Sequence, residues 1–178
     1  NLTASNVDNA LYYPTDGSSV DFVAYYPYVA SLTGNTYKVD VTTQTNQPII
    51  DLLYSDNAKG FAKGTSSNPQ LQFAHMLRQI VFNIEKDATI PSLNGLNVTF
   101  KGMNTKADFT LADGKLSNAG TVADIASFVD VTSATATTIV LPSTTLSGIK
   151  VVFDLNGKSY TADYPQSVLD AGRKYVHK

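Results

Sequence analysis

Few residues in this chain have the type and spacing that catalysis requires. The two histidines, His75 and His177, are far apart in sequence, and His177 is the next-to-last residue. A histidine-based triad also needs a serine and a carboxylate beside the imidazole, and no nucleophile motif of that kind is present. The chain has no cysteine, which excludes disulfides, thiolate zinc sites and cysteine nucleophiles. The sequence therefore predicts neither an enzyme nor a cofactor.

The carboxylates give no clearer site. There are fourteen aspartates and one glutamate, and many of the aspartates occupy turn contexts such as Asp16-Gly17, so no spacing singles out a glycosidase pair. Asp154-x-Asn156-Gly157 resembles the start of a calcium loop, but the residues after it lack the third ligand and the terminal glutamate. An Asn-Gly hairpin turn explains the same residues. We predict no metal site.

Aromatic rings offer one candidate binding surface. Tyrosines cluster near the beginning of the chain and could stack on sugar rings: Tyr12, Tyr13, Tyr25, Tyr26 and Tyr28. Alternation along a strand directs at most half of them to one face, and a sandwich buries one face of each sheet. Packing in the core and at sheet edges is therefore the favoured role for these rings. The alternative role is sugar stacking, which would make the protein a carbohydrate-binding module.

Composition and charge narrow the class of protein. The net charge is −2, and the 13 basic residues are spread along the chain with no run longer than Arg173-Lys174, whereas nucleic-acid binding needs clustered cations. No run of residues has the length of a membrane-spanning helix, and no signal peptide is visible. Twenty threonines and eighteen tyrosines and phenylalanines favour pleated strands. The chain is expected to be a β protein.

Short alternating segments separated by turn residues recur along the 178 residues. Asp113-Gly114 and Asn156-Gly157 each lie between two such segments and predict hairpins. We predict an all-β fold, an antiparallel sandwich or barrel, with short helical turns in the connections. The segment from Ala123 to Asp130 is one candidate for such a turn.

The stretch FAHMLRQIVFNIE, from Phe73 to Glu85, does not keep one strand period. Its apolar residues lie on odd positions at first and on even positions later, which predicts a bulge or one helical turn between two strands. Either device turns the apolar residues inward, namely Phe73, Leu77, Ile80, Phe82 and Ile84. We expect His75 near the core as a structural residue that bonds freed backbone groups.

Several blocks, taken in order, resemble the fimbrillin-like family of Bacteroidales, which are fimbrial subunits and surface adhesion proteins of the type V pilus kind. The blocks are NALYYPTDGSSVDFVAYYPY, DLLYS, LQFAHMLRQIVFNI, GMNTKADFTLADGKLSNAG and LDAGRKYV. The resemblance implies a transthyretin-like sandwich with a structural or adhesive role at the cell surface. It also implies that residues 1–178 are a single sandwich domain, the N-terminal one of a longer two-domain protein.

The same resemblance suggests partners and a location. Family members are typically made as lipoprotein precursors, so outer-membrane association is expected only through a lipid anchor on the precursor. A sandwich that lacks a strand exposes unpaired main-chain groups, and a strand from another fimbrial subunit can fill that gap. We expect a subunit of a fimbrium that assembles by strand addition, with host or bacterial surface molecules as further ligands.

Overall fold

A computed structural model of the chain describes residues 12–64 and 68–178. The regular secondary structure of the described residues is almost entirely β-strand, with one short 3₁₀ helix at Gln47–Ile49. The strands are β1 (Val20–Tyr26), β2 (Thr36–Asp40), β3 (Leu53–Phe61), β4 (Ala74–His75), β5 (Arg78–Asn83), β6 (Asn97–Thr110), β7 (Lys115–Ala126), β8 (Phe128–Asp130), β9 (Thr135–Val140), β10 (Lys150–Leu155), β11 (Lys158–Asp163) and β12 (Lys174–His177). The predicted all-β class is confirmed.

The strands form three sheets. Sheet A has the order β1-β3-β4, and sheet C has the order β12-β5-β9-β8. Sheet B has the order β11-β10-β6-β2, with β7 paired along the other side of the long strand β6. Every pair is antiparallel except β12 with β5, which run parallel.

Sheets B and C pack face to face around one apolar core. The ring of Phe82 on sheet C lies 5.9 Å from that of Phe100 and 5.5 Å from that of Phe153, both on sheet B. Phe100 and Ile80 are fully buried in this layer. Burial of each such side chain adds about 1.5–3 kcal/mol to the free energy of unfolding relative to leaving it exposed. The apolar contacts in this core are therefore the main interaction that holds the two sheets together.

Both predicted hairpins are present. Asn156 and Gly157 join β10 to β11 with φ of 51° and 76°, the left-handed pair that a type I′ turn requires. The loop containing Asp113 and Gly114 joins β6 to β7, with Thr110 paired to Lys115. Local turn chemistry therefore fixed the register of these strands.

The parity change between Phe73 and Glu85 has a different cause from the predicted bulge or helical turn. β4 belongs to sheet A and β5 to sheet C, so the chain passes between sheets and each strand keeps its own parity. Leu77, Ile80 and Phe82 lie in the core, but Phe73 is 48% exposed. The expectation that Phe73 and His75 face inward is wrong, because β4 is an exposed strand at the edge of sheet A.

The predicted helical turn at Ala123–Asp130 is also wrong. This segment contains the end of β7 and the whole of β8, as the chain crosses from sheet B to sheet C. Ile125 is fully buried opposite Phe100, and the Ser127 N–H donates to the carbonyl of Val98 at 2.8 Å. Burial in the extended state outweighs the weak helical preference of this short segment.

One side chain takes the place of a neighbouring strand beside β9. The Gln44 carboxamide is buried, accepts from the Ile139 N–H at 2.8 Å and donates to the Ile139 carbonyl at 2.9 Å. It also donates to the Val41 carbonyl, and Gln47 donates to the Thr137 carbonyl at 2.8 Å. These side chains therefore give hydrogen-bond partners to backbone N–H and C=O groups at the edge of β9 beyond the short strand β8.

Candidate functional site

A wide apolar opening lies where sheets B and C part, and we call it the edge groove. It has a volume of about 530 Å³ and is bordered by the ends of β5 and β12 on one side and by β10 and β11 on the other. Its floor is apolar, with side chains that include Phe82, Ile84, Leu93, Leu96, Phe153 and Leu155. A groove of this kind can accept apolar side chains in a row.

Two of the four strands that border the edge groove, β11 and β12, have a free edge within the described chain. β11 pairs with β10 alone, and all six of its residues are exposed. β12 pairs with β5 alone. Free strand edges present unpaired N–H and C=O groups that another extended chain can bind.

His177 forms part of the groove wall. Its Nε2 and the Tyr164 hydroxyl are joined by a hydrogen bond of 3.2 Å, and its ring lies 5.3 Å from those of Tyr164 and Phe82. Burial lowers the pKa of His177 and raises that of Tyr164. Both groups are therefore neutral near pH 7, which suits an apolar wall.

His75 lines a second, smaller cavity, which we call the His75 pocket. The imidazole is 60% exposed, and its Nδ1 lies 2.8 Å from Oδ2 of Asp51. The pocket has a volume of about 250 Å³, and its lining includes Leu77, Arg78, Gln79, Ile139, Arg173 and Lys174. The backbone-bonding role expected for His75 is replaced by a surface pair with a carboxylate.

The five tyrosines do not form one platform. Tyr25 pairs with Tyr54 across the sheet and its ring packs against Tyr37 at 5.9 Å, whereas the next residue, Tyr26, faces the other side. Tyr12 and Tyr28 are 84% and 79% exposed. Tyr13 is half-buried. Strand alternation separates Tyr25 from Tyr26, as the sequence pattern indicated, whereas Tyr12, Tyr13 and Tyr28 lie outside the strands.

Sequence reasoning missed the groove floor, because its residues come from distant parts of the chain.

No helix among residues 12–64 and 68–178 has the length and apolar character needed to cross a membrane. The same residues contain no cluster of three or more His, Cys, Asp or Glu side chains placed to hold a metal ion.

Comparison with known proteins identifies the relatives of this chain. The sequence profile of the fimbrillin-like family matches residues 1–178. The chain belongs to the fimbrillin-like family. It is 32% identical over 180 residues to Fim1C, a proposed fimbrium subunit of Bacteroides uniformis, covering 94% of this chain and 58% of that protein. The fimbrillin-like chain thus spans just over half the length of this curated relative.

Solved structures agree with this assignment. A crystal structure of a proposed cell adhesion protein from Bacteroides uniformis matches with a TM-score of 0.82 and 31% identity, over 93% of this chain and 69% of that chain. A second one, from Bacteroides ovatus, matches with a TM-score of 0.77 over 99% of this chain and 66% of that one. At 20% identity the second match supports the fold alone. The family consists of fimbrial and adhesion subunits, and it is not an enzyme class.

Proposed function

We propose that this fimbrillin-like chain is a subunit of a cell-surface fimbria that assembles by β-strand addition at the edge groove. The observation that carries the proposal is an apolar groove flanked by the free edges of β11 and β12. An added strand gains main-chain hydrogen bonds from an edge and places alternate side chains in the groove. Such a contact is head-to-tail, and its repetition yields a filament when the rotation between neighbouring subunits does not close into a ring.

The wider features of the proposal rest on the family. Residues 1–178 are proposed to form one transthyretin-like domain, the N-terminal one of a longer protein. Attachment to the outer membrane is proposed to occur through a lipid on the precursor. Other fimbrial subunits are the proposed partners, and the similarity to a fimbrium subunit supports this choice.

A groove-blocking substitution tests strand addition. Tyr160 on β11 lines the groove and is 54% exposed, so Tyr160→Glu places a charge on the path of the incoming strand without disturbing the core. The matched control is Tyr28→Glu, since Tyr28 is 79% exposed and is not part of the groove lining.

Polymerisation of the full-length processed protein is measured by size-exclusion chromatography and electron microscopy. We expect Tyr160→Glu to polymerise poorly and Tyr28→Glu to polymerise normally, while both keep the wild-type melting temperature. Equal polymerisation of the two variants would show that the groove does not accept a strand.

A further inference from the structure

The His75 pocket lies at the beginning of β5 and β12, on backbone that is firmly fixed. The Gly172 N–H donates to the Leu77 carbonyl at 3.1 Å, and the Gln79 N–H donates to the Arg173 carbonyl at 3.2 Å. Gly172 has φ of +65°, and a Cβ there would lie 3.0 Å from the His75 carbonyl oxygen. The pocket walls are therefore held by main-chain contacts rather than by mobile loops.

The lining of this pocket is positive although the whole protein has a net charge of −2. Arg78, Arg173 and Lys174 line it, and Asp51 is the one carboxylate in the lining. The Asp51 carboxylate is already bonded to His75 at 2.8 Å. A cleft with an excess of one charge sign concentrates ligands of the opposite sign.

Arg78 adds a buried charge to this lining. It is 3% exposed, and its Nε and Nη1 atoms have no hydrogen-bond partner within the described part of the chain. Strand alternation directs its side chain to the interior with Ile80, so the charge lies behind the pocket wall. Burial lowers the pKa of Arg78 to about 10, against the raising effect of Tyr175 and Asp170, so the guanidinium remains a cation at neutral pH.

The remaining groups suit a sugar ring. Leu77 and Ile139 are apolar and buried, and the Gln79 amide and the Asp51–His75 pair supply donors and acceptors for hydroxyl groups. Tyr26 is 42% exposed on the same face of sheet A as His75, with Leu53 paired to both residues. Two strand spacings separate Tyr26 from His75, roughly 10 Å, so its ring can border a ligand that extends from the pocket.

From these features we propose that the His75 pocket binds a carboxylate-bearing sugar, such as a uronic acid residue. The volume of about 250 Å³ is small for a ligand site and fits a single ring. The exposed cations Arg173 and Lys174 hold the carboxylate, Arg78 adds positive charge from behind the wall, and the polar rim holds the hydroxyl groups. An acidic peptide side chain would use the charge but leave the hydroxyl-binding groups of Gln79 and Asp51 without partners.

Titration of the 178-residue chain, followed by two-dimensional NMR of the backbone amides, tests this site. The probes are D-glucuronate, D-glucose and acetate. We expect glucuronate to shift the amides of residues 75–79 and 172–174, glucose to bind much more weakly, and acetate to bind weakly at the same place. Raising the salt concentration from about 0.01 M to about 1 M should weaken glucuronate binding, because its charge is screened.

Substitution of the exposed cations provides the second arm. Lys174→Gln is expected to weaken glucuronate binding up to about fivefold, the range of an exposed ion pair, and addition of Arg173→Gln should weaken it further. Lys158→Gln on β11 is the matched control and should leave binding unchanged, with all variants melting at the wild-type temperature.

Three outcomes overturn the proposal. Equal binding of glucose removes the role of charge, and equal binding of acetate removes the role of the sugar ring. Glucuronate binding that is absent, or that falls as much in Lys158→Gln as in Lys174→Gln, removes the site itself.

Discussion

Replacement of Gln44 with alanine is the sharpest test of how sheet C is held at its β9 edge. The side chain is 3% exposed and bonds both backbone groups of Ile139 as well as the Val41 carbonyl. Ile139 is itself 4% exposed, so water cannot readily replace the lost partners. A buried donor left without a partner costs about 1–3 kcal/mol, and the two carbonyl groups add to this cost.

The free energy of unfolding should therefore fall by about 2–4 kcal/mol in Gln44→Ala. In a protein of this size each kcal/mol lowers the melting temperature by roughly 2–4 °C, so a fall of roughly 6–12 °C is expected for the middle of that range. Urea denaturation and calorimetry measure the change. The matched control is Gln72→Ala, because the Gln72 residue is exposed.

Hydrogen exchange adds a local measurement to the same experiment. The Ile139 amide should lose much of its protection in Gln44→Ala, whereas the amide of Ile80, inside the sheet, should lose only what the global change in stability dictates. A stability within about 0.5 kcal/mol of the wild type, together with a protected Ile139 amide, would show that Gln44 does not replace a strand.

Further predictions concern a turn, a half-buried imidazole and a surface pair. Gly114→Ala should lower the melting temperature clearly and Gly120→Ala only slightly, because a Cβ at Gly114 would lie 2.6 Å from the Tyr54 ring at φ of +65°, whereas a Cβ at Gly120 would lie 3.8 Å from the Asn118 carbonyl oxygen. The pKa of His177 is lowered by burial, so its contribution to stability is present above pH about 6.5 and lost as the pH falls through its folded pKa. Urea denaturation as a function of pH should show this loss, and His177→Gln should remove it. His75→Gln should change the free energy of unfolding by less than about 0.5 kcal/mol, because the ring is 60% exposed; a larger loss by urea denaturation would contradict this.

The sequence carried the local features of the fold better than the distant ones. Asn156-Gly157 gave a hairpin because left-handed φ values are a property of those two residues and their immediate neighbours. The change of parity after Phe73 was visible in the sequence, but its cause was not. A bulge within one strand and a passage between two sheets both shift the apolar residues from odd to even positions. His75 was misplaced for that reason.

The candidate sites depend on contacts that no local pattern records. Phe82, Leu93 and Phe153 meet in the edge groove only after sheets B and C have formed. Lys174 reaches the His75 pocket because β12 pairs with β5 in the register that joins it to Gln79. Spacing along the chain contains no information on such pairings, whereas composition and turn residues predicted the all-β class, and the family resemblance predicted the surface role, without any of them.

The parallel pairing of β12 with β5 has a consequence for how the protein folds as it is synthesised. Lys174–His177 bind Gln79–Phe82, so sheet C cannot close until nearly all of the described chain has left the ribosome. Closure of such a long loop is slow, and synthesis proceeds at roughly 5–20 residues per second. For several seconds the edge of β5 is open beside a core that is otherwise ready to form. During that interval a β12 segment from a second nascent chain can compete with the chain's own strand, and exchange of strands between neighbouring copies is the misfolding route to which this topology is exposed.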